Sequence, residues 1–300
     1  MTLAVLVPGG GGQLGTEIAG VAAASGADVR APRSAELDVR QAGQVVAAVR
    51  QLAVRALAED RRPVVINAAA YTAVDAAEDD EYGAFAVNAD GPRALAAACA
   101  TTGVPLLHVS TDYVFSGESE GPYQPDDPLS PRSAYGRTKA AGEVAVLGSG
   151  ASAWVVRTAW VYGAAGSNFV KTMARLEREQ ETVSVVNDQH GSPTYAADLA
   201  SGLLELAAAV TVGEAPSKQV LHCTGGGNAT WFDFAKAVFA ELGADPERVR
   251  PCTTAEFPRP AARPANAVLS NTAWTEAGLT PLRDWRAALT EFVAAHRADL

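Results

Sequence analysis

The sequence predicts an α/β fold in which a doubly wound parallel sheet carries a smaller mixed lobe toward the C-terminus. Two observations support this prediction. Residues 3–7, Leu-Ala-Val-Leu-Val, form a short apolar run that leads directly into a glycine-rich stretch, as expected of a buried parallel strand before a turn. Similar apolar runs then alternate with helical stretches to about residue 165, which is typical of a parallel sheet with right-handed crossovers.

The first half of the chain supplies these elements in regular order. Strands are expected at 3–7, 27–31, 64–66, 105–109 and 154–157. Helices are expected at 13–24, 41–58, 76–88 and 91–102, with a further helix that contains Tyr135 and runs to about 147. We therefore expect residues 1–165 to form a Rossmann-like nucleotide-binding domain.

The regular alternation weakens after about residue 165. Helices are predicted near 168–179, 195–209, 231–242 and 284–297, and a short strand precedes the polar loop 186–194. We expect a segment of about 194–224 to return to the first domain. Residues 166–193 and 225–300 would then form a substrate-binding lobe.

Composition restricts the class of protein. The chain has 300 residues, of which 48% are apolar and 19% charged, and its net charge of −10 disfavours a nucleic-acid partner. The three cysteines (Cys99, Cys223 and Cys252) lack metal-binding spacing, which favours reduced thiols in a cytoplasm. With no basic segment or long apolar span at the start, we expect a cytoplasmic protein without a membrane partner.

The glycine-rich stretch has the spacing of a dinucleotide-binding loop. Gly9, Gly12 and Gly15 give the pattern G-x-x-G-x-x-G between the first strand and the first helix. Such glycines permit a tight turn and a close approach of the backbone to a pyrophosphate, and the helix N-terminus offers free N–H donors. We expect Gly9, Gly12, Gln13 and Leu14 to bind a nicotinamide dinucleotide.

The identity of that dinucleotide depends on the end of the second strand. An acid there would bind the ribose 2′-hydroxyl and disfavour a 2′-phosphate. This chain has Arg30-Ala31-Pro32-Arg33-Ser34 instead. The prediction is NADPH, with NADH possible, and with Arg30 or Arg33 near the phosphate. The alternative is that both arginines are only solvated.

Tyr135 and Lys139 form the most informative pair in the chain. Residues i and i+4 lie on one face of a helix. Lysine is rare in this chain, in which most of the 24 cationic residues are arginines, so its position here is informative. An ammonium beside a phenol favours the phenolate, so Lys139 is expected to make Tyr135 a better acid. The alternative is a solvent-facing pair on an amphipathic helix.

Several longer strings carry a resemblance to a known family over nearly the whole chain. The chain resembles the extended short-chain dehydrogenase/reductases and, among them, the dTDP-4-dehydrorhamnose reductase family. The matching strings are Gly12–Gly15, Asn67–Asp75, Ser110–Phe115, Tyr135–Lys139, Arg157–Gly163, the Asn-Asp-Gln string within 187–194, and Arg263-Pro264. The sequence departs from the pattern at Tyr71, where some members have His, and at His190, where some have Tyr.

The resemblance implies reduction of the C4 ketone of a dTDP-linked 4-keto-6-deoxysugar, dTDP-4-dehydro-L-rhamnose. Tyr135 would protonate the carbonyl oxygen, Lys139 would hold the nicotinamide ribose, and Thr111 would polarise the carbonyl. Further cofactor contacts would come from Asp38, Val39, Ala68, Ala69, Ala70, Tyr71 and Thr72. Further substrate contacts would come from Asp112, Tyr113, Trp160, Asn187, Gln189 and Arg263. Trp160 would otherwise be a core residue, and Arg263 a member of a structural ion pair.

Some members of the family form a dimer around a magnesium ion held by glutamates. The corresponding stretch here, 195–198, has no Glu. We therefore predict no bound metal, and a monomer or a weak homodimer.

Three alternatives remain open at this level. A related ketoreductase could make another dTDP-6-deoxysugar by offering hydride to the opposite face of the ketone. A regulatory subunit could bind the nucleotide without catalysis, although Thr111, Tyr135 and Lys139 are all present. A dehydratase or epimerase of the same superfamily is disfavoured, because Tyr113 stands where a dehydratase would have Glu.

Overall fold

A computed structural model describes residues 2–300, and it confirms the predicted α/β fold. A six-stranded, wholly parallel sheet forms its centre, with the order β10-β5-β4-β3-β1-β2. Its strands are β1 (Leu3–Leu6), β2 (Asp28–Arg30), β3 (Arg62–Asn67), β4 (Leu106–Thr111), β5 (Ala153–Thr158) and β10 (Val220–His222). The strand order reverses between β1 and β3, which is where ligands bind in doubly wound sheets.

Helices cover both faces of this sheet. They are α1 (Gln13–Ala24), α2 (Ala42–Ala58), α5 (Gly91–Thr102), α6 (Ala134–Leu147) and α8 (Ala196–Thr211), while the short helices α3 (Ala76–Asp79) and α4 (Glu81–Phe85) pack against α6. Alternate residues of β1 face opposite layers. Val5 packs in one apolar cluster with Ile18 of α1, and Leu6 packs in the other with Val49 of α2. Burial on both faces is why these strands are almost continuously apolar.

The remaining elements form a smaller assembly of short strands and helices. They are β6 (Val161–Tyr162), α7 (Phe169–Glu179), β7 (Val183–Val186), β8 (His190–Gly191), β9 (Thr194–Tyr195), β11 (Ala229–Thr230), α9 (Trp231–Leu242), β12 (Val249–Cys252), α10 (Thr272–Glu276) and α11 (Trp285–His296). An aromatic core around Tyr162, Phe234, Trp285 and Phe292 packs most of them together, whereas Trp274 of α10 packs in the apolar cluster on one face of the central sheet. Within residues 2–300, the helices lack the combination of length and apolarity that crossing a membrane requires.

Two expectations differ from the structure near the site. The predicted helix 76–88 is divided at Asp80, whose side chain accepts a hydrogen bond from the Gly83 N–H at 2.9 Å and so begins α4 as an N-cap. A π-helical turn, Ala86–Asp90, then leads into α5. In addition, β4 extends to Thr111, so this residue ends the strand rather than following it.

Candidate active site

The cleft that contains the predicted catalytic residues lies at the carboxyl ends of the central strands. Its volume is about 970 Å³, near the upper end for small-molecule sites. Several parts of the sheet domain line it: the glycine loop, the segments after β2 and β3, the ends of β4 and β5, and α6 with Tyr135 and Lys139. Val161 and two tryptophans, Trp160 and Trp231, line its outer side. This is the edge at which open parallel sheets bind ligands.

The glycine loop leaves bare backbone at one end of the cleft. Gly9 has φ of +82°, and a Cβ added there would lie 2.6 Å from the Ala69 backbone nitrogen. A Cβ on Gly15 would lie 2.2 Å from the Gly9 carbonyl oxygen. Gly12 precedes α1 without any side-chain cap, which leaves the first helical N–H groups free for a ligand. These residues fit the pyrophosphate of a dinucleotide.

The structure separates the two arginines proposed for a 2′-phosphate. Arg33 lines the cleft, and its Cγ would lie 3.0 Å from a Cβ on Gly11. Arg30 does not line it. Its guanidinium donates to Gln51 Oε1 of α2 at 2.7 Å and borders a separate groove beside that helix. Of the two arginines, the structure thus places only Arg33 on the cleft, while Arg30, the last residue of β2, is directed toward α2.

The two cofactor-contacting residues expected after the second strand, Asp38 and Val39, do lie on the cleft. Arg40, which sequence reasoning missed, lines it as well. Arg40 donates to both Asp38 carboxylate oxygens, and this hydrogen bond holds the pKa of Asp38 below its usual value. The carboxylate is thus already paired with a cation at this end of the cleft.

The segment Ala68–Thr72 lines the middle of the cleft, as the resemblance implied. A buried asparagine that sequence reasoning missed holds it in place. Asn88 Oδ1 accepts from the Tyr71 N–H at 2.8 Å, and Asn88 Nδ2 donates to the Tyr71 carbonyl and to Thr138 Oγ1, each at 3.1 Å. Asn88 thereby joins the cleft wall to α6. It lies in the π-helical turn, a feature that often marks functional sites.

Local hydrogen bonds fix the start of α6 and therefore the position of Tyr135. Ser133 caps the helix by accepting from the Gly136 N–H at 3.1 Å, and Glu78 Oε1 accepts from the Ala134 N–H at 2.8 Å. A Cβ on Gly136 would lie 2.2 Å from the Tyr113 carbonyl oxygen, so glycine permits close contact between α6 and the turn after β4. Tyr135 and Lys139 are brought together with Thr111 on the cleft, which contradicts a solvent-facing pair.

The electrostatic effect expected of Lys139 on Tyr135 is not the dominant one. Burial raises the pKa of the Tyr135 phenol above its usual value, while the Thr111 hydroxyl opposes this and the Asp112 carboxylate adds to it. Lys139 donates from Nζ to the Val109 carbonyl at 2.7 Å, and burial lowers its pKa to about 8. Tyr135 therefore keeps its proton at neutral pH, as a general acid must.

Thr111 and Asp112 lie together at the reacting end of the cleft. The Thr111 hydroxyl donates to Asp112 Oδ1 at 2.7 Å, and both residues are buried. Burial raises the pKa of Asp112 to about 7. The ring of Tyr113 lies edge-on to that of Tyr135 with 5.5 Å between centroids, so all three predicted residues of this turn contact the site.

Two stacked indoles form the outer wall of the cleft. The rings of Trp160 and Trp231 are 3.5 Å apart and almost parallel. Trp160 has a positive φ of 47°, and its ring occupies the space that a Cβ on Gly191 would need, 2.3 Å away. Trp160 is thus on the cleft as the resemblance implied. Trp231 was missed, because it opens an ordinary amphipathic helix and no motif marks it.

The structure does not bring the other predicted substrate residues to this cleft. The Asn187 amide oxygen accepts from Thr230 Oγ1 at 2.8 Å, and Gln189 donates to Thr254 Oγ1 at 3.0 Å. Arg263 lines a smaller adjoining cavity, of which Tyr113 is also part, and its Nη2 donates to Asp75 Oδ1 at 2.8 Å. Asn187 and Gln189 are thus not among the residues that line this cleft, whereas Arg263 borders it through the adjoining cavity while also forming an ion pair.

Among residues 2–300, no group of three or more His, Cys, Asp or Glu side chains is arranged to hold a metal ion.

Comparison with known proteins agrees with this geometry. The family model described as "RmlD substrate binding domain" matches residues 2–298. A dTDP-4-dehydrorhamnose reductase of Streptomyces griseus is 50% identical over 287 residues, covering 95% of this chain and 91% of the relative. A probable dTDP-4,6-dihydroxy-2-methyloxan-3-one 4-ketoreductase of Streptomyces antibioticus is 47% identical, with coverages of 95% and 93%.

A solved structure extends the comparison to a complex with a dinucleotide. The dTDP-4-dehydrorhamnose reductase of Bacillus anthracis in complex with NADP superimposes with a TM-score of 0.90 at 34% identity. The match covers 98% of this chain and 100% of that one. The chain belongs to the RmlD substrate binding domain family, and it matches reductases of dTDP-linked sugars over almost its entire length.

Proposed function

We propose that this protein reduces the C4 ketone of dTDP-4-dehydro-L-rhamnose to give dTDP-L-rhamnose, with NADPH as the reductant. The observation that carries the proposal is the meeting of Thr111, Tyr135 and Lys139 in a cleft that begins at a bare glycine loop. The names of the similar proteins from Streptomyces griseus and Bacillus anthracis support both the reaction and the cofactor.

The cofactor would be held along one side of the cleft. Gly9, Gly12, Gln13 and Leu14 would bind its pyrophosphate, Arg33 its 2′-phosphate, and Asp38 and Val39 would lie by the adenine. Ala68–Thr72 would line its middle part, with Asn88 fixing that backbone. When bound, NADPH supplies the hydride for the carbonyl carbon.

The side chains at the other end would handle the proton. Tyr135 donates its phenolic proton to the carbonyl oxygen as negative charge develops there, because burial keeps that proton in place until it is needed. Thr111 donates a hydrogen bond to the same oxygen. Lys139, protonated at neutral pH, stabilises the resulting phenolate and holds the nicotinamide ribose.

Binding of the sugar would use the outer wall. Asp112 and Tyr113, which line the cleft, would contact the sugar, and the indole of Trp160 would offer an apolar face to the deoxysugar. Arg263 borders the adjoining cavity, where a diphosphate would find a guanidinium. We propose that residues 1–165 with the return segment 194–224 bind the cofactor and supply the catalytic residues, and that the lobe of residues 166–193 and 225–300 completes the site for the sugar nucleotide. A monomer or weak homodimer remains our prediction.

A second function is favoured by one specific observation. Two similar proteins, from Streptomyces antibioticus and Streptomyces niveus, are named as ketoreductases of other dTDP-linked keto sugars. The same residues would serve such a reaction, with the ketone presented by its opposite face.

One assay separates these candidates. NADPH oxidation is followed with enzymatically generated dTDP-4-dehydro-L-rhamnose, with NADH in parallel, and the product is identified by NMR. Formation of dTDP-L-rhamnose, faster with NADPH, supports the proposal. A C4-epimeric product supports the second function, and tight binding of NADPH without any oxidation contradicts both.

A further inference from the structure

Asp112 is buried, and only one of its two carboxyl oxygens accepts a hydrogen bond from a side chain. It is 4% exposed, and its Oδ1 accepts from Thr111 Oγ1 at 2.7 Å. Its Oδ2 is buried without a hydrogen-bond partner among residues 2–300. A buried carboxylate oxygen without a partner carries a large desolvation cost, whereas a neutral carboxyl largely avoids it.

The Thr111 hydroxyl has a single proton, and Asp112 determines where that proton points. An ionised carboxylate only accepts hydrogen bonds. Beside ionised Asp112, Thr111 must therefore direct its proton to Oδ1, and it can then only accept hydrogen bonds from the cleft. A protonated Asp112 can instead donate to Thr111 Oγ1, which frees the Thr111 proton for an acceptor in the cleft.

The charges around Asp112 favour the neutral form. No Lys, Arg or His forms an ion pair with Asp112 within residues 2–300. On α6, Lys139 donates to the Val109 carbonyl, and the Tyr135 phenol has its pKa raised by Asp112. On its own turn, Asp112 also raises the pKa of Tyr113. From the lobe, Arg263 is directed to Asp75 instead.

The pKa of Asp112 agrees with this geometry. Burial raises it to about 7, and the hydrogen bonds from Thr111 and from the backbone of Asp112 and Tyr113 only partly oppose this. The neutral form is thus present at and below neutral pH, and it is lost as the pH rises through about 7.

We propose that neutral Asp112 is a positioning residue whose carboxyl O–H donates to Thr111, so that Thr111 becomes the hydrogen-bond donor to the substrate carbonyl oxygen. This inference depends on the proposed reduction, because it needs an acceptor oxygen beside Thr111. It assigns Asp112 a role through Thr111 in addition to any contact with the sugar.

The test is the pH profile of kcat/KM for the keto sugar, which reports ionisations of the free enzyme, for the wild type and for Asp112→Asn, whose amide can donate to Thr111 at any pH. Lys139, with a pKa of about 8, contributes a second loss at higher pH in both proteins. Between about pH 6 and about pH 8, we expect kcat/KM to fall roughly twentyfold in the wild type and about twofold in Asp112→Asn. In a Thr111→Val background, which has no hydroxyl to orient, Asp112→Asn should leave the profile unchanged.

A second measurement needs no substrate. Carboxyl ¹³C chemical shifts of Asp-labelled free protein should show one carboxyl that titrates near pH 7 and is absent from the spectrum of Asp112→Asn. An Asp112 carboxyl that titrates near its ordinary value, or equal pH profiles for the wild type and Asp112→Asn, would overturn the inference alone. A wild type that turns over no keto sugar would instead contradict the proposed function.

Discussion

The acidity of Tyr135 is set by its surroundings more than by its neighbour on the helix. Spacing along the chain correctly placed Tyr135 and Lys139 on one face of α6. The structure shows, however, that burial raises the pKa of the phenol, while Lys139 donates to the Val109 carbonyl. A tyrosine that holds its proton until charge develops on the substrate oxygen is suited to general-acid catalysis.

Replacing Tyr135 by Phe removes the proposed proton donor and little else. We expect kcat to fall by about 10²–10⁴, which is the usual contribution of a general acid, while NADPH affinity stays within a few-fold by fluorescence titration. The matched control is Tyr82→Phe on α4, where the side chain is 89% exposed. Full turnover by Tyr135→Phe would remove the catalytic assignment.

The two arginines after β2 make a matched pair for testing cofactor choice. Arg33→Ala should raise the KM for NADPH roughly tenfold and leave the KM for NADH unchanged, because a charge-assisted contact to the 2′-phosphate is lost. Arg30→Ala should change neither, since its guanidinium pairs with Gln51 on the other side of the strand. Steady-state kinetics with both cofactors checks this. Equal effects of the two substitutions would contradict the assignment.

At the scale of elements, the glycine loop and α1 act as one packed unit. The Gly9 carbonyl lies where a Gly15 side chain would be, and Gly9 itself lies against Ala69. The loop therefore depends on the absence of side chains at two positions of one short motif, Gly9 and Gly15.

Two glycines of α1 allow this packing to be tested within one helix. Gly15→Ala places a Cβ 2.2 Å from the Gly9 carbonyl oxygen, so we expect a loss of about 1–3 kcal/mol in the free energy of unfolding and weaker NADPH binding. Gly20→Ala meets no atom within 4 Å and should stabilise the helix by about 1 kcal/mol. Urea denaturation measures both. A Gly15→Ala protein as stable as the wild type would show that the loop is not close-packed.

A buried ion pair connects α6 to the sheet. Arg157 of β5 donates from Nη2 to Glu143 Oε2 at 2.7 Å, and its Nη1 donates to the Pro125 carbonyl at 3.0 Å. Arg157 and Glu143 are at most 3% exposed. The helix that carries Tyr135 and Lys139 is thereby held against the strand beside Thr111.

Replacing one partner of this ion pair should lower the free energy of unfolding more than replacing both partners. Arg157→Met leaves the Glu143 carboxylate buried and uncompensated, so we expect a loss of about 3–5 kcal/mol in the free energy of unfolding. The double variant Glu143→Leu/Arg157→Met should recover most of that loss. The comparison is made by chemical denaturation. Equal stabilities of the single and the double variant would contradict the account.

At the scale of the whole molecule, ion pairs join the C-terminal segment to the segment after β3. Asp75 pairs with Arg259 and Arg263, and its Oδ1 also accepts from the Ala261 N–H at 3.2 Å. The two guanidiniums hold the pKa of Asp75 below its usual value despite its partial burial. One carboxylate thus orders the stretch that also borders the cavity beside Tyr113.

Neutralising Asp75 should loosen this connection without unfolding the protein. In Asp75→Asn we expect amide hydrogen exchange of residues 257–264 to accelerate roughly tenfold, because at least one charge-assisted interaction of about 1 kcal/mol or more is lost. Exchange within β4 and β5 should not change. Asp79→Asn, an exposed acid nearby on α3, is the control. Unaltered exchange at 257–264 would show that other contacts order this stretch.

Local patterns in the sequence determined the α/β architecture, the glycine loop and the Tyr135–Lys139 face. Each depends on periodicity or on a turn requirement, which neighbouring residues alone express. Only the tertiary structure decided that Arg33 and not Arg30 faces the cleft, that Trp231 and Asn88 belong to the site, and that burial sets the acidities of Tyr135 and Asp112. These properties arise from contacts between distant segments and from exclusion of water, and neither is encoded in the spacing of residues along one strand or helix.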